Sequence, residues 1–305
     1  MNAAVRAVVR CGLAAGLKVF TVERGYEGLL AGRFREMAPG DVAGYITSGG
    51  SSIKSARCSE MFEPEGPESA ARLLHRREVD GLVVVGGDGT YRGALELARH
   101  GVKVVGLPGT IDNDIPGTER SIGFDTAVNT LAEVLGKLRD TAASHNRTFV
   151  VEAMGRHSGW IALHAGLASG ADLILLPEIP WTREDVLAKL LARCELGKTF
   201  HLVVISEGAG NALELTNWLQ LQTPESLEVR ACIPGHIQRG GTPSVLDRLF
   251  ATSCGARAVE ALLAGRHGVM VGEQAGVIVE VPLTLAIEGK RTIDAALHAL
   301  LMRVS

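Results

Sequence analysis

The chain is 305 residues long, 46% hydrophobic and 4% aromatic, with 37 glycines and a formal net charge of −3. That length holds two α/β domains or one large one, and the slightly acidic balance excludes a general nucleic-acid footprint, so an anion site must come from local arginines. Cys11, Cys58, Cys194, Cys232 and Cys254 show no paired spacing, which fits free thiols in a reducing compartment; with no membrane-length apolar run and no cleavable leader, a cytoplasmic protein is expected.

The chain opens on an amphipathic helix over 1–16, with Arg6 and Arg10 four apart on one face. A strand is expected over 17–22, then a glycine-punctuated region to Gly50. Residues 45–57 read as a polar loop carrying Lys54 and Arg57, and 67–77 as a helix with Pro67 near its start. The apolar run 81–85 predicts a strand. It leads through Gly86-Gly87-Asp88-Gly89-Thr90 into a helix over 91–100. Glycines between strand and helix let the backbone approach a phosphate, and a helix N-terminus favours its negative charge. Asp88 in that cluster is placed to hold Mg²⁺, directly or through water. The spacing matches neither the Walker nor the dinucleotide pattern.

A second apolar run, 102–107, predicts a buried parallel strand, followed by Pro108-Gly109-Thr110-Ile111-Asp112-Asn113-Asp114. The C-terminal edge of such strands is where ligands bind in open α/β sheets. In an extended loop Thr110, Asp112 and Asp114 share one side. Paired carboxylates suit a general base or a metal ligand, and Asp and Asn equally suit a solvated turn. The loop alone leaves both readings open. Its neighbour, a phosphate cradle one βα unit earlier, favours phosphoryl transfer.

A long helix is expected over 123–141 and a strand over 147–152, leading to Met154-Gly155-Arg156-His157-Ser158-Gly159. Strands follow at 172–176 and 200–206, the latter ending in Glu207-Gly208, with Thr182 as the N-cap of the helix between them. A helix over 212–220 and a strand over 227–233 precede Pro234-Gly235-His236-Ile237-Gln238-Arg239-Gly240-Gly241. His236 beside Arg239 suits an anionic, hydroxyl-rich ligand. A helix over 245–263, a strand over 277–281 and a terminal helix over 292–303 complete the chain.

Taken together, GGDGT, PGTIDND, MGRHSGW, SEG and GHIQRGG occur in order along nearly the whole chain, which resembles the bacterial ATP-dependent 6-phosphofructokinases. The resemblance implies an α/β protein of two Rossmann-like, three-layer domains with mainly parallel sheets and the active site in the cleft between them. Its boundaries here are 1–123 plus about 239–289 for the ATP-binding domain, and 124–238 plus about 290–305 for the fructose 6-phosphate domain. It implies transfer of the γ-phosphoryl of MgATP to the sugar's 1-hydroxyl. Asp112 is then the base, Thr110 and Asp114 are its loop partners, and Arg156 stabilises transition-state charge. Arg57, Cys58, Gly87, Asp88, Gly89, Thr90 and Gly93 match the ATP positions, with Asp88 on Mg²⁺. Thr110, Ile111, Asp112, Met154, Gly155, Arg156, Glu207, His236, Ile237, Gln238 and Arg239 match the sugar phosphate positions. Arg147 and Arg230 match arginines that the family supplies from a neighbouring subunit, so a homotetramer with shared sites is implied. Arg6, Arg10, Arg139, Asp172 and Lys198 match an effector site, in which Leu196 and Pro39 replace basic residues of relatives.

Pyrophosphate-using relatives carry Asp in place of Gly89 and Lys in place of Gly109. Glycine at both leaves room for ATP, so ATP is the expected donor and pyrophosphate the alternative. Family members also begin with a strand and a GGDxPG loop ahead of the stretch matching Met1-Asn2-Ala3-Ala4. Their absence implies either that Met1 is internal to a longer chain or that this is a truncated, non-catalytic homologue or regulatory subunit. The intact downstream residues favour the first. A lipid or nicotinamide-nucleotide kinase, which shares GGDGT, is disfavoured by the later motifs.

Overall fold

The computed structural model describes residues 1–223, 227–293 and 295–304. It divides into two compact units. The first comprises Met1–Thr110, Ile115–Gly123 and Gly241–Arg291; the second comprises Ile111–Asp114, Phe124–Gly240 and Thr292–Ser305.

The first unit begins with α1 (Asn2–Ala14), β1 (Phe20–Val22), α2 (Gly25–Leu30), β2 (Phe34–Glu36) and α3 (Glu65–Arg76). It continues through β3 (Leu82–Gly86), α4 (Asp88–Arg99) and β4 (Val104–Pro108). The expected strand over 17–22 shrinks to three residues. It pairs antiparallel with β2 in a small sheet of its own, because Gly16 takes a positive φ of 78° and Leu17 stays exposed. The helix predicted from Tyr91 starts three residues earlier, at Asp88, so Asp88, Gly89 and Thr90 form its first turn.

The second unit holds α5 (Phe124–His145), β5 (Arg147–Ala153), α6 (Trp160–Ala168), β6 (Leu173–Leu175), α7 (Arg183–Glu195), β7 (His201–Ser206), α8 (Ala212–Gln222) and β8 (Glu228–Cys232). The chain then returns to the first unit for α9 (Val245–Leu263), β9 (Val269–Gln274) and β10 (Val277–Pro282), and ends on α10 (Ala295–Val304) in the second.

Each unit is a three-layer sandwich. In the first, the sheet order is β10-β9-β4-β3, with β3, β4 and β9 parallel and β10 antiparallel at one edge. Alternation along the strands sorts side chains onto two faces. Val84 and Val104 pack with Leu74, Ala94 and Leu97 of α3 and α4. Val105 and Leu107 pack with Ala3, Ala4, Phe250 and Ala251 of α1 and α9. The hairpin strand β9 escapes the periodicity reading, because it is a short apolar run broken by Gly272. That glycine is needed, since a side chain there would meet Thr118 Cβ at 2.7 Å.

The second sheet is wholly parallel, in the order β6-β7-β5-β8. Phe149, Val151, Leu202 and Val204 face α5 and α6, while Val150, Val203 and Ile205 face α7 and α8. The strand order reverses beside β5, the switch point at which α/β sheets open a crevice beyond their C-terminal ends. Three helix starts are capped by side chains, that of α7 by the expected Thr182. Thr182, Asn211 and Ser244 accept backbone N–H groups at the starts of α7, α8 and α9, each contributing about 1 kcal/mol. Among the described residues no helix is long and apolar enough to cross a membrane.

Candidate active site

In the first unit the glycine turn follows β3 and the start of the 108–114 loop follows β4. The two strands are adjacent and parallel, and Gly109 N donates to Gly86 O at 2.9 Å. Thr110 lies beside Gly87, where an added side chain would approach its Cβ to 3.7 Å. Thr90 folds back onto Gly86, where no side chain fits. The Asp88 carboxylate is exposed at the N-terminus of α4 and accepts from Arg92 Nε at 3.0 Å.

Gly89 and Gly109, both counted in favour of ATP, behave differently. A side chain at Gly89 meets nothing within 4 Å, so the space is open to a ligand. At Gly109 it would meet Val85 Cγ1 at 2.8 Å and Gly86 N at 3.1 Å. A side chain at Gly109 therefore requires β3 to give way, whereas one at Gly89 would enter open space. Gly93 sits one turn into α4 under the ring of Tyr26, which would lie 2.6 Å from any added Cβ. Tyr26 also donates its hydroxyl to Thr90 O at 2.6 Å. Burial pushes its phenol up, which keeps it protonated as a donor. Sequence reasoning passed over Tyr26, which lies 64 residues from Thr90. Arg57 is exposed, and the partly buried Cys58 packs on the α3–α4 side of the core.

The second unit gathers the other set at the C-terminal edge of three neighbouring strands, β7, β5 and β8. Asp112 is 7% exposed, and its carboxylate lies 3.8 Å from Arg156 Nε. Asp114 is partly buried two residues on, and Ile111 packs on the α5–α6 side of the core. Arg156 is exposed and takes a left-handed backbone, φ 54°, after Gly155 at 144°. Glu207 holds that turn, accepting from Gly155 N at 2.9 Å and Arg156 N at 2.6 Å. Gln238 is buried and accepts from Met154 N at 3.1 Å. It is thus a brace between the β5 and β8 turns. His236, Ile237 and Arg239 are exposed around it on the short turn Gly235–Arg239.

Arg147 and Arg230 lie elsewhere. Arg147 begins β5, and Arg230 pairs in register with Phe149 two residues further along. The seven residues of β5 rise about 20 Å, so Arg147 cannot reach the Met154–Arg156 turn of its own unit. Both arginines grip Glu228, Arg147 Nε at 2.7 Å. The hydrogen bond from Arg147, more than any other cause, holds the Glu228 carboxyl below its usual range.

The residues of this unit that the sequence resemblance assigns to an effector lie at the same N-terminal strand edge. Arg139 donates to Gly170 O at 2.9 Å. Asp172 is buried and accepts from Arg193 Nη1 at 2.7 Å, from Leu202 N at 2.9 Å and from Lys198 Nζ. Arg193 was not foreseen; it lies on α7, 21 residues away in the chain. In the first unit, Arg6 has a buried Nε without a hydrogen-bond partner among the described residues, and Arg10 donates to Pro39 O at 3.2 Å.

A glycine turn at the N-terminus of a helix that follows a parallel strand is the arrangement with which α/β proteins meet phosphate groups. The comparisons narrow it. The model of the phosphofructokinase family matches residues 1–262. The chain is 45% identical to an ATP-dependent 6-phosphofructokinase of Bacillus mycoides (strain KBAB4), over all of this chain and 95% of that one. Phosphofructokinase from Saccharomyces cerevisiae superposes with a TM-score of 0.86 at 34% identity, covering 100% of this chain but only 45% of the yeast chain. A pyrophosphate-dependent phosphofructokinase from Marinobacter aquaeolei superposes with a TM-score of 0.86 at 24% identity, covering 97% of this chain and 82% of that one, and shares the fold. The chain belongs to the phosphofructokinase family.

Proposed function

We propose that the chain transfers the γ-phosphoryl of ATP to the 1-hydroxyl of fructose 6-phosphate, giving fructose 1,6-bisphosphate and ADP. The observation that carries this reading is the buried Asp112 carboxylate beside Arg156, two residues along the chain from Thr110, which lies against the glycine turn. Asp112 takes the proton of the 1-hydroxyl. That oxygen then forms the new bond to the γ-phosphorus as the bond to the ADP oxygen breaks. Arg156 offsets charge building on the phosphoryl oxygens, which is most of what phosphoryl transfer asks of a protein.

The glycine turn and the N-terminus of α4 cradle the nucleotide phosphates. Asp88 offers one exposed hard oxygen donor, and the described residues contain no cluster of three metal-ligating side chains. That donor set fits Mg²⁺ arriving on the nucleotide, since the ion takes one or two carboxylates and completes its shell with phosphates and water. When bound, the ion neutralises phosphate charge. ATP is favoured over pyrophosphate because the space at Gly89 is open, and because the full-length relative at 45% identity carries the ATP-dependent name.

Glu207, His236 and Arg239 bind the sugar phosphate in this reading, with Met154 and Gln238 shaping the wall. Arg147 and Arg230, too far from their own unit's turn, serve the 6-phosphate of a neighbouring copy, which makes the working enzyme a homo-oligomer. Arg139, Asp172 and Lys198, with Arg6 and Arg10, serve an anionic effector.

A coupled assay with fructose 6-phosphate and either MgATP or pyrophosphate tests the reading. Turnover with MgATP is expected. Turnover with pyrophosphate alone would shift the assignment to the other donor, and none with either would overturn it.

A further inference from the structure

The turn that presents Arg156 also reaches back to the loop that presents Asp112. Ser158 is 3% exposed, and its hydroxyl donates to the main-chain carbonyl of Asp112 at 2.8 Å. The same oxygen faces Trp160 N at 3.4 Å, at the start of α6. Ser158 is itself anchored twice. Its backbone N–H donates to Gly155 O at 2.9 Å, closing the turn around Arg156. Its carbonyl accepts from the hydroxyl of Ser206, the fully buried last residue of β7, at 3.1 Å. The backbone at Gly155 approaches that carbonyl so closely that a side chain there would meet it at 2.3 Å.

The loop on the receiving end needs holding. Asn113, directly after Asp112, is 2% exposed and left-handed, with φ 53°. A non-glycine residue in that region persists only where its surroundings over-determine it. The bond from Ser158 fixes the peptide plane between Asp112 and Asn113, and so fixes the direction in which the Asp112 side chain leaves. Arg156 lies two residues from Ser158, so one four-residue turn places both the arginine and the anchor of the carboxylate it faces.

We propose that Ser158, backed by Ser206, is a positioning residue that sets the Asp112 carboxylate against Arg156 and the sugar hydroxyl. It rests on the reading of Asp112 as the base. Neither serine touches substrate in this account; both act through the backbone of the 112–113 peptide.

The test uses the full chain. Ser158→Ala, Ser158→Cys, Ser206→Ala and, in parallel, Asp112→Ser are compared with wild type for kcat, KM for fructose 6-phosphate, the pH profile of kcat and the thermal midpoint. For Ser158→Ala, kcat is expected to fall about tenfold while KM changes by less than about twofold, because small misplacements of a reacting group cost rate rather than binding. The acid limb of its kcat profile is expected to move to higher pH, since a carboxylate no longer held against Arg156 takes up its proton more readily. Ser206→Ala shifts both readouts the same way by less, and Ser158→Cys, which keeps a weak donor, recovers part of the loss.

Unchanged kcat and acid limb with a lowered thermal midpoint would reduce Ser158 to a structural strut and overturn the inference. If Ser158→Ala does not fold, the same null result in Ser158→Cys and Ser206→Ala overturns it. A null result at both serines with Asp112→Ser inactive removes the inference and leaves the base intact. Wild-type turnover in Asp112→Ser removes the base, and the inference with it.

Discussion

The donor set of the first unit and the acceptor set of the second are built on opposite plans. Around Gly87, Asp88 and Gly89 the protein offers space, an open helix N-terminus and one exposed carboxylate. Around Asp112 and Arg156 it offers a backbone tied by hydrogen bonds from four different turns or strand ends, with Ser158, Ser206 and Gln238 buried among the braces and Glu207 exposed. In the proposed reading the difference follows from what each must do. A nucleotide brings its own charge, and with Mg²⁺ its own counter-charge, so the donor side mainly has to leave room and point N–H groups. Proton abstraction from a sugar hydroxyl needs a carboxylate held to within a fraction of an ångström, so the acceptor side is braced.

The comparison breaks most sharply at Asp112. If Asp112 is the base as proposed, Asp112→Ser is expected to cut kcat by about a thousandfold, within the range for losing general-base catalysis, with fructose 6-phosphate still bound. Steady-state kinetics alongside equilibrium titration of the sugar phosphate check this; turnover within tenfold of wild type would contradict it.

On the donor side the expected loss is smaller and of another kind. Gly89→Asp adds a carboxylate where the structure has open space, so folding is spared and the nucleotide phosphates meet a like charge. A drop of about a hundredfold in kcat/KM for ATP is expected, with an unchanged thermal midpoint. A variant that uses ATP normally would show that the space at Gly89 is not where the phosphates sit.

The smallest expected effect lies away from both sets, in His201. It is fully buried at the start of β7, its Nδ1 is 3.3 Å from Thr148 Oγ1, and its Nε2 has no hydrogen-bond partner among the described residues. Burial lowers its pKa most; Asp172 opposes this, and Lys198 and Arg193 reinforce it. The folded protein therefore holds His201 neutral, while the unfolded chain takes a proton below about pH 6.5. The stability due to the neutral ring is present above that pH and is lost as pH falls from there toward the lowered folded-state value. Thermal midpoints between pH 7.5 and 5.5 (both about 1 unit from the ordinary histidine value) are expected to fall less steeply in His201→Gln than in wild type. Equal slopes would mean that His201 does not titrate on unfolding.

The same contrast explains what could be read from the chain alone. Strand, glycine turn and helix at 82–99 are local chemistry, so their residues lie together in the sequence as they do in space. Even there the start of α4 was placed three residues late, because Asp88-Gly89-Thr90 looks like a loop until its backbone is seen to be helical. The residues of the acceptor set were visible as motifs, and their bracing was not. Ser158 and Asp112 are 46 residues apart, as are many pairs that never meet, and a buried serine carries no signal of its own. Glu228 between Arg147 and Arg230, and Arg193 on Asp172, were missed for the same reason. Gly109 shows the converse, since a residue read for its ligand also packs closely on the neighbouring strand.

Phosphorus NMR of the products from fructose 6-phosphate and MgATP tests the central claim most directly. The account predicts a sugar bisphosphate with new phosphate on the 1-oxygen, formed in step with ADP. ADP and free phosphate without sugar bisphosphate, or a sugar bisphosphate formed only when pyrophosphate replaces ATP, would contradict it.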